Sequence, residues 1–253
     1  MALALCATVG CRARPPAPSV APDSPTDPAA PPPAVDAQVD VGAQVDAAPA
    51  PAAIALDAAP GPAPAGPPPA GWVDVAVAIP DAVLDLRYAT ANNLTGAPLY
   101  PVARCWLRAA PAAQLVTAAD LLRQAGHRLL LWDCYRPASV QQLLWDRVPD
   151  PRYVARPRFD DAGRPIAGSV HSRGAAIDVS LADPDGRPRT LPTDHDDFSA
   201  AASGRRATGA ARANLAALRA AMATAGFAPI ASEWWHFEAG GGRRAPLADE
   251  PLR

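Results

Sequence analysis

The stretch "SVHSRGAAIDVSL" occupies residues 169–181. It places His171 and Asp178 on either side of Gly174. The second half, "AAIDVSL" (175–181), is a short apolar run that predicts a strand. Gly174 lets the chain turn between the two polar residues with no side chain in the way. Histidine and aspartate are both common metal ligands. The stretch therefore predicts either half of a metal site or an ordinary turn that leads into a strand.

Two further stretches carry side chains that can take part in catalysis. "DCYRP" (133–137) holds Arg136, and "SEWWHF" (232–237) holds Glu233 and His236. Arginine is always charged and its fork of donors suits an oxyanion, so Arg136 is a candidate oxyanion stabiliser. A carboxylate beside a metal can take a proton from the metal's water, so Glu233 is a candidate general base.

A complete metal site can be assembled from these stretches. Catalytic zinc typically has three protein ligands and an open fourth position, and His171, Asp178 and His236 would supply the three. The spacing alone leaves alternatives, because Asp178 could cap a turn and His236 could be a buried, hydrogen-bonded core histidine. In a regular strand, positions 233 and 236 point to opposite faces, so a twist or bulge is needed before both can reach one metal.

The pattern of apolar residues predicts an α+β fold. Alternating valines and an isoleucine predict a strand over 73–79. Further strands are predicted at 128–133, 175–181 and 233–237, and helices around 115–122, 140–148 and 215–222. In the second helix, positions 140, 143, 144, 147 and 148 are predicted to share one face. The irregular, loop-rich gaps favour a single α+β domain, residues 71–253, over a doubly wound sheet.

The N-terminal part of the chain differs in composition from the rest. "MALALCATVGC" (1–11) is a short apolar run that ends in a small residue and Cys11, and it lacks basic residues. It resembles a bacterial lipoprotein signal with Cys11 as the acylated residue; the alternative is an untargeted N-terminus. Residues 12–70 are rich in proline and alanine, which predicts a disordered linker. We therefore expect a protein of the cell envelope or periplasm, lipid-anchored to the membrane, with secretion as the alternative.

The charge and the cysteine content limit the possible partners, metal sites and cross-links. There are 23 basic and 25 acidic residues and a net charge of −2, so no nucleic-acid partner is expected. Cys105 and Cys134 lie in the body of the chain, and no C-x-x-C spacing suggests a zinc knuckle. In an exported protein these two cysteines would be in an oxidising compartment, where they could form a disulfide.

Four segments follow one another over most of residues 72–238. They read "YATANNLTG" (88–96), "LLLWDCYRP" (129–137), "SVHSRGAAID" (169–178) and "EWWHF" (233–237). In this order they resemble the zinc D-alanyl-D-alanine peptidases of family M15, and most closely its D-Ala-D-Ala dipeptidases. The combination is far more specific than any single motif. The resemblance implies a small, mostly antiparallel sheet flanked by helices, and one zinc ion per chain.

The resemblance also implies roles in zinc binding, proton transfer and substrate binding. They fall on His171, Asp178 and His236 as zinc ligands, Glu233 as general base, Arg136 as stabiliser of the tetrahedral oxyanion, and Ser169 and Asp196 as substrate-binding residues. In this family the aspartate at the position of Asp196 binds the free ammonium group of the substrate.

One segment departs from the family's pattern. It reads "LPTDHD" (191–196), where Leu191 and Pro192 replace the usual Met-Gly and His195 replaces the usual aromatic residue. The change leaves the zinc ligands and the base intact but puts the preferred dipeptide in doubt. His195 could add a polar contact near the substrate; we expect it to be an ordinary surface histidine.

The sequence thus predicts a metallopeptidase that hydrolyses D-Ala-D-Ala, or a similar small D,D-dipeptide, in the turnover of cell-wall peptides. One alternative is a D,D-carboxypeptidase or endopeptidase, whose longer peptidoglycan substrates would present an amide to Asp196. Another is a non-catalytic peptidoglycan-binding lipoprotein. Against the last, Glu233, Arg136 and all three ligand positions are occupied by the residues that catalysis needs.

Overall fold

The computed structural model describes residues 66–253. The predicted leader with Cys11, and the predicted linker as far as residue 65, lie outside the described residues. Residues 66–70, at the end of that linker, contain no helix or strand. Within the described part of the chain, no helix is both long enough and apolar enough to cross a membrane.

Strands and helices alternate irregularly along residues 66–253. The strands are β1 (Trp72–Asp74), β2 (Val83–Leu84), β3 (Trp106–Arg108), β4 (Arg128–Asp133), β5 (Arg158–Phe159), β6 (Pro165–Ala167), β7 (Ala176–Ala182), β8 (Phe227–Pro229) and β9 (His236–Ala239). The α-helices are α1 (Val75–Ala78), α2 (Ala109–Gln124), α3 (Ala138–Arg147) and α4 (Gly209–Thr224). Single 3₁₀ turns occur at Arg87–Ala89, His171–Arg173, Ala200–Ser203 and Gly242–Arg244.

Five of these strands form the central sheet, in the order β2-β4-β7-β9-β8. β2 runs parallel to β4, and each of the other neighbouring pairs is antiparallel. Helices α2 and α4 pack against each other, and they also contact the sheet through β4 and through β7 and β8, respectively. The predicted α+β domain with a small, mostly antiparallel sheet flanked by helices is confirmed.

The central strand β7 is buried along its whole length. This explains why it reads in the sequence as an apolar run, because both of its faces are covered. Asp178 lies in this strand and is only 3% exposed. A carboxylate in such a place is costly unless it is paired or hydrogen-bonded, so its partners define a polar centre within the sheet.

The predicted helices and the strand predicted at 128–133 are confirmed. Helix α2 buries Leu115, Ala119 and Leu122, and α4 likewise buries its predicted apolar residues. The chain leaves α2 through Gly126, whose φ of 76° is a left-handed conformation that glycine adopts without strain.

The strand predicted over 73–79 is wrong beyond Asp74. The carboxylate of Asp74 accepts a hydrogen bond from the backbone N–H of Ala76 (3.0 Å) and caps the one-turn helix α1. Val75 is buried while Val77 is 77% exposed, whereas positions two apart in a strand would share a face. The cap outweighs the weak strand preference of the alternating valines.

Helix α3 occupies its predicted place but buries a different face. Leu144 is buried, whereas Leu143 is 52% exposed, so the predicted face was wrong in including Leu143. Gln141 is buried on this face instead of Leu143. Its side-chain oxygen accepts a hydrogen bond from Arg136 Nη1 (2.9 Å), so a polar contact occupies the buried face of the helix.

An aromatic cluster supports the region where β4 ends. Its buried members are Trp72, Tyr88, Tyr100, Trp106, Tyr135, Leu144, Val154 and Leu252. Two of its phenol groups point out of the cluster toward carboxylates. The Tyr100 hydroxyl donates to Asp133 (2.7 Å) and the Tyr88 hydroxyl donates to Asp196 (2.8 Å). The cluster therefore provides apolar packing and also holds the side chains of Asp133 and Asp196 in place.

Candidate active site

Adjacent strands of the sheet place three polar residues side by side. Asp178 of β7 lies opposite His236 of β9 and is paired with Asp133 of β4. The register of β4 against β7 shifts just before Asp133, and such irregularities re-aim side chains next to functional sites. His171 joins the group from the 3₁₀ turn that precedes β7.

Gly174 ends that turn and leads into β7. Its φ is 64°, in the left-handed region, and an added Cβ atom would overlap the ring of Trp72. Both the backbone conformation and the lack of space therefore require glycine. The prediction that Gly174 turns the chain between His171 and Asp178 is confirmed.

His171, Asp178 and His236 bring three ligand atoms together in a buried position. The Nδ1 atom of His236 is 3.0 Å from Asp178 Oδ1 and 3.1 Å from His171 Nε2. His171 Nε2 is 3.3 Å from Asp178 Oδ1. Ligand atoms bound tetrahedrally at about 2.0–2.1 Å from one zinc ion are about 3.3 Å apart. The observed spacing therefore fits a single small cation.

The orientation of the two imidazole rings also favours a cation. His171 Nδ1 lies 2.6 Å from the carbonyl oxygen of Cys134. Because a carbonyl only accepts, Nδ1 carries the proton and Nε2 presents its lone pair to the site. His236 Nε2 faces Glu238 Oε1 at 3.7 Å, which leaves Nδ1 directed inward. Three electron-pair donors thus converge on one point, and only a cation or a proton between them relieves their repulsion.

The charges of this triad follow from burial and close contact. Burial raises the pKa of Asp178, but its contacts with the neighbouring histidines outweigh burial and hold that pKa well below its usual range. Burial lowers the pKa of His236, but the contacts with Asp178 and Glu238 outweigh it and raise the pKa to about 10. The raised pKa of His236 favours a protonated triad in the metal-free protein, and a metal ion bound there would displace that proton.

A cavity of about 290 Å³ opens over the triad. Its walls include every residue for which the sequence predicts a catalytic, metal-binding or substrate-binding role. These are Arg136, Ser169, His171, Asp178, Asp196, Glu233 and His236. The fold thus brings together residues from both halves of the domain, around one space.

Glu233 reaches this cavity from the segment before β9. The strand predicted at 233–237 is wrong at its start, because β9 begins only at His236. The alternation of a strand does not apply to Glu233, and no bulge is needed for both side chains to line the cavity. Burial raises the pKa of Glu233; His236 opposes this effect, and Asp178 and Asp196 reinforce it. A raised carboxyl pKa suits a group that accepts and returns a proton.

Arg136 is held rigidly just after β4. Its Nε and Nη2 atoms donate to Asp133 Oδ2 at 2.9 and 2.6 Å, and its Nη1 atom donates to Gln141. The guanidinium also lies over the ring of Tyr88, 4.8 Å from the centroid. A guanidinium has five N–H groups. Three are used in these bonds, so two remain for the cavity, and they require no reorganisation to meet a negative oxygen.

Ser169 and Asp196 complete the lining of the cavity. Ser169 Oγ accepts a hydrogen bond from the backbone N–H of His171 (3.2 Å). Asp196 accepts one from the Tyr88 hydroxyl and has a φ of 54°, alone among the non-glycine residues of the described chain in being positive. Such a backbone conformation costs about 1–3 kcal/mol and is concentrated at functional sites. The fold holds this carboxylate in place against the backbone preference.

The sequence of the chain matches a known peptidase family. The sequence profile of peptidase family M15, described as D-Ala-D-Ala dipeptidase, matches residues 69–250. The chain belongs to peptidase family M15.

Two D-alanyl-D-alanine dipeptidases are similar to this chain in sequence. The D-alanyl-D-alanine dipeptidase of Escherichia coli K12 is 38% identical over 168 residues, which cover 66% of this chain and 83% of that protein. The D-alanyl-D-alanine dipeptidase of Streptomyces coelicolor is 35% identical over 174 residues, covering 60% and 83%. A Zn(II) complex of a mutant vancomycin resistance D,D-pentapeptidase VanY has a TM-score of 0.34 at 16% identity, covering 53% of this chain and 73% of that chain.

Two supporting residues of the M15 site were missed in the sequence. Asp133 is completely buried and holds Arg136, and Tyr88 holds Asp196. Both stand inside the segments "LLLWDCYRP" and "YATANNLTG", so the signal was present. Their roles depend on contacts across strands and loops, which the segments alone do not reveal.

The expectation that His195 is a surface histidine is wrong for this M15 peptidase. The ring is buried, with Nε2 3.1 Å from Asp178 Oδ2. Nor does it contact the substrate space, since it is absent from the cavity lining. The segment 191–196 folds inward because the rings of Trp132 and Trp235 pack around the imidazole, at centroid distances of 5.3 and 5.8 Å.

Cys105 and Cys134 are joined by a disulfide, with Cα atoms 5.1 Å apart. The bridge fixes the chain just after β4, two residues before Arg136. The Cys134 carbonyl is also the acceptor for His171 Nδ1. The disulfide therefore anchors the backbone carbonyl that orients the His171 ring.

Proposed function

We propose that this M15 peptidase is a zinc dipeptidase that hydrolyses D-Ala-D-Ala, or a similar D,D-dipeptide, to free D-amino acids. The observation that carries the proposal is the convergence of the metal triad, Glu233 and Asp196 on one cavity of about 290 Å³. The family and its curated D-alanyl-D-alanine dipeptidases support the same reaction.

His171, Asp178 and His236 would hold one zinc ion. Two imidazole nitrogens and a carboxylate oxygen form a donor set typical of catalytic zinc, with one position left for water or substrate. When bound, zinc supplies a Lewis acid that polarises a carbonyl and lowers the pKa of water.

Glu233 would move the proton of the reaction. Its carboxylate takes a proton from the attacking water and later passes it to the nitrogen of the leaving amino acid. Protonation neutralises a charge that burial disfavours, as the raised pKa of Glu233 indicates. The environment therefore assists the first transfer, and the basic leaving nitrogen drives the second.

Arg136 would stabilise the negative oxygen that develops on the scissile carbonyl. Its position is set by Asp133 and Gln141, and its two remaining N–H groups are available to the cavity. Donors fixed in advance stabilise the transition state more than the ground state.

Asp196 and Ser169 would hold the substrate. A free D,D-dipeptide carries an ammonium group that a partly buried carboxylate such as Asp196 can pair with. A longer peptide presents a neutral amide at that place and gains no ion pair. The small cavity and Asp196 together favour dipeptides over peptidoglycan peptides.

The direct test incubates the full-length protein with D-Ala-D-Ala and measures free D-alanine, with and without a chelator. We expect release that the chelator abolishes and added zinc restores. No release from zinc-loaded protein would contradict the proposal, and release only from longer peptidoglycan peptides would instead support a D,D-carboxypeptidase.

Asp196→Asn separates these two activities. Loss of a charged partner should lower kcat/KM for the dipeptide by about 10- to 100-fold and leave cleavage of longer peptides nearly unchanged. Asp185→Asn, at an exposed position outside the cavity, is the matched control.

We also propose that the enzyme works in the cell envelope, in the turnover of cell-wall peptides. The apolar run that ends at Cys11, the Pro/Ala-rich spacer of residues 12–70 and the Cys105–Cys134 disulfide support this location. Cys11→Ser should move the protein from the membrane fraction to the soluble fraction. An unchanged soluble distribution of both forms would favour secretion.

A further inference from the structure

His195 lies between the triad of His171, Asp178 and His236 and the carboxylate of Asp196. It is not part of the triad and does not line the cavity. Its side chain is only 2% exposed, with Nε2 3.1 Å from Asp178 Oδ2. On the other side of the ring, Nδ1 is 3.5 Å from Asp196 Oδ2. One imidazole therefore contacts the carboxylate of a metal ligand and adjoins the carboxylate proposed to bind the substrate.

The two oxygens of Asp178 have different partners. Oδ1 faces the two histidine ligand atoms at 3.0 and 3.3 Å. Oδ2 faces His195, while Arg136 Nη2 is 3.8 Å away, beyond hydrogen-bonding distance. Among residues 66–253, His195 is the residue hydrogen-bonded to Oδ2. Because a carboxylate oxygen only accepts, Nε2 is the donor.

The surroundings of His195 fix the direction of this hydrogen bond. Three aromatic rings pack around the imidazole, those of Tyr88, Trp132 and Trp235, at centroid distances of 5.7, 5.3 and 5.8 Å. The backbone N–H of His195 donates to Asp194 (2.8 Å), which in turn pairs with Arg87 (2.8 Å). The position of the imidazole is therefore fixed by the surrounding rings, by the hydrogen bond of Nε2 and by the backbone hydrogen bond of His195.

We propose that His195 is a positioning residue for the metal centre. Its Nε2–H holds the Asp178 carboxylate in the orientation that turns Oδ1 toward the two histidines. Because Asp196 is the next residue, the same bond fixes the loop that carries it relative to the metal site. This role rests on the proposed function, since it presupposes a metal ion at Asp178. Outer partners of this kind change metal affinity or activity by about 10- to 100-fold.

Two variants distinguish a donor from a packing residue. His195→Phe keeps an aromatic ring among its neighbours but has no N–H. His195→Gln loses the ring but can place its amide N–H near the position of Nε2. The measurement is the zinc dissociation constant of the full-length chain, by competition with a chromophoric chelator, followed by kcat and KM for D-Ala-D-Ala.

A positioning role predicts that His195→Phe binds zinc about 10- to 100-fold more weakly, while His195→Gln stays within about threefold of wild type. It also predicts that kcat falls in the Phe variant, because the Asp178 carboxylate is no longer held, and that KM rises as well, because the same bond fixes the loop that carries Asp196. The reverse order of zinc affinities, or equal losses in both variants, would overturn it.

A third variant covers the case in which His195→Phe does not fold. His195→Asn has the same amide as His195→Gln but is too short to reach Asp178 Oδ2. Weaker zinc binding in the Asn variant alone supports the role, and equal binding in both overturns it. If wild type itself binds no zinc, the proposed metal site fails, and that result is distinct from a failure of His195.

Discussion

Glu233 is the residue at which catalysis and metal binding can be separated. It lines the cavity but is not one of the three converging ligands. Glu233→Gln should therefore lower kcat by about 10²- to 10⁴-fold, the usual contribution of a positioned general base, and leave zinc affinity nearly unchanged. Glu250→Gln, at an exposed position away from the cavity, is the matched control. Full activity in Glu233→Gln would remove Glu233 from the mechanism.

The convergence of single residues on one site was predictable where a side chain itself can bind metal, move a proton or hold an anion. His171, Asp178 and Glu233 are examples, and the structure places them around one cavity. His195 was misjudged because its importance lies in a contact with Asp178, seventeen residues earlier in the chain. No local pattern shows that a histidine in a loop will turn inward.

At the scale of elements, the turn before β7 sets the distance between His171 and Asp178, two of the proposed metal ligands. Gly174 has a φ of 64° and no room for a Cβ beside Trp72. Gly174→Ala should cost about 2–5 kcal/mol of unfolding free energy, because a left-handed alanine and an overpacked ring both contribute. It should also weaken zinc binding, since His171 lies in the turn.

Gly163→Ala is the control that measures the cost of a left-handed alanine without a steric clash. Gly163 has a φ of 75° but nothing within 4 Å of an added Cβ. It should cost only about 1–2 kcal/mol and leave zinc affinity unchanged. Denaturant unfolding of both variants checks the difference, and equal costs would show that the Trp72 contact is unimportant.

The element boundaries show what periodicity can and cannot predict. Long apolar runs predicted β4 and β7 because these strands are buried on both faces, and helical spacing predicted α2 and α4 because each buries one face. The alternating valines after Asp74 failed, because a single capping bond redirected the chain into a short helix. Likewise, the position of Glu233 depends on where β9 begins, and aromatic residues on both sides of that boundary hide it.

At the scale of the whole molecule, the disulfide ties the chain before β3 to the chain just after β4, two residues before Arg136. Cys105 and Cys134 are 29 residues apart, and closing such a loop restricts the unfolded chain by about 3–4 kcal/mol. A Cys105→Ser, Cys134→Ser double variant should lose about that much unfolding free energy in denaturant. Wild type treated with reductant should match it. Two free thiols in native wild type would show that the bridge does not form.

Zinc binding should couple the active site to global stability in a pH-dependent way. In the metal-free protein the pKa of His236 is raised to about 10, from an ordinary value of 6.5. Its contribution to stability is therefore fully present below pH 6.5 and is lost as the pH rises toward 10. Zinc can bind His236 only when the inward-facing Nδ1 atom is unprotonated. Zinc affinity should therefore rise by about tenfold per pH unit for each displaced proton.

The consequence is that zinc should raise Tm more at pH 8.5 than at pH 6.5, while the metal-free protein becomes less stable over the same interval. Thermal unfolding with and without a chelator measures both trends, and chelator competition gives the affinity directly. Proton release on adding zinc to weakly buffered protein is the independent check. An affinity that does not change with pH would mean that no proton is displaced from the triad, and that His236 is already neutral before the metal arrives.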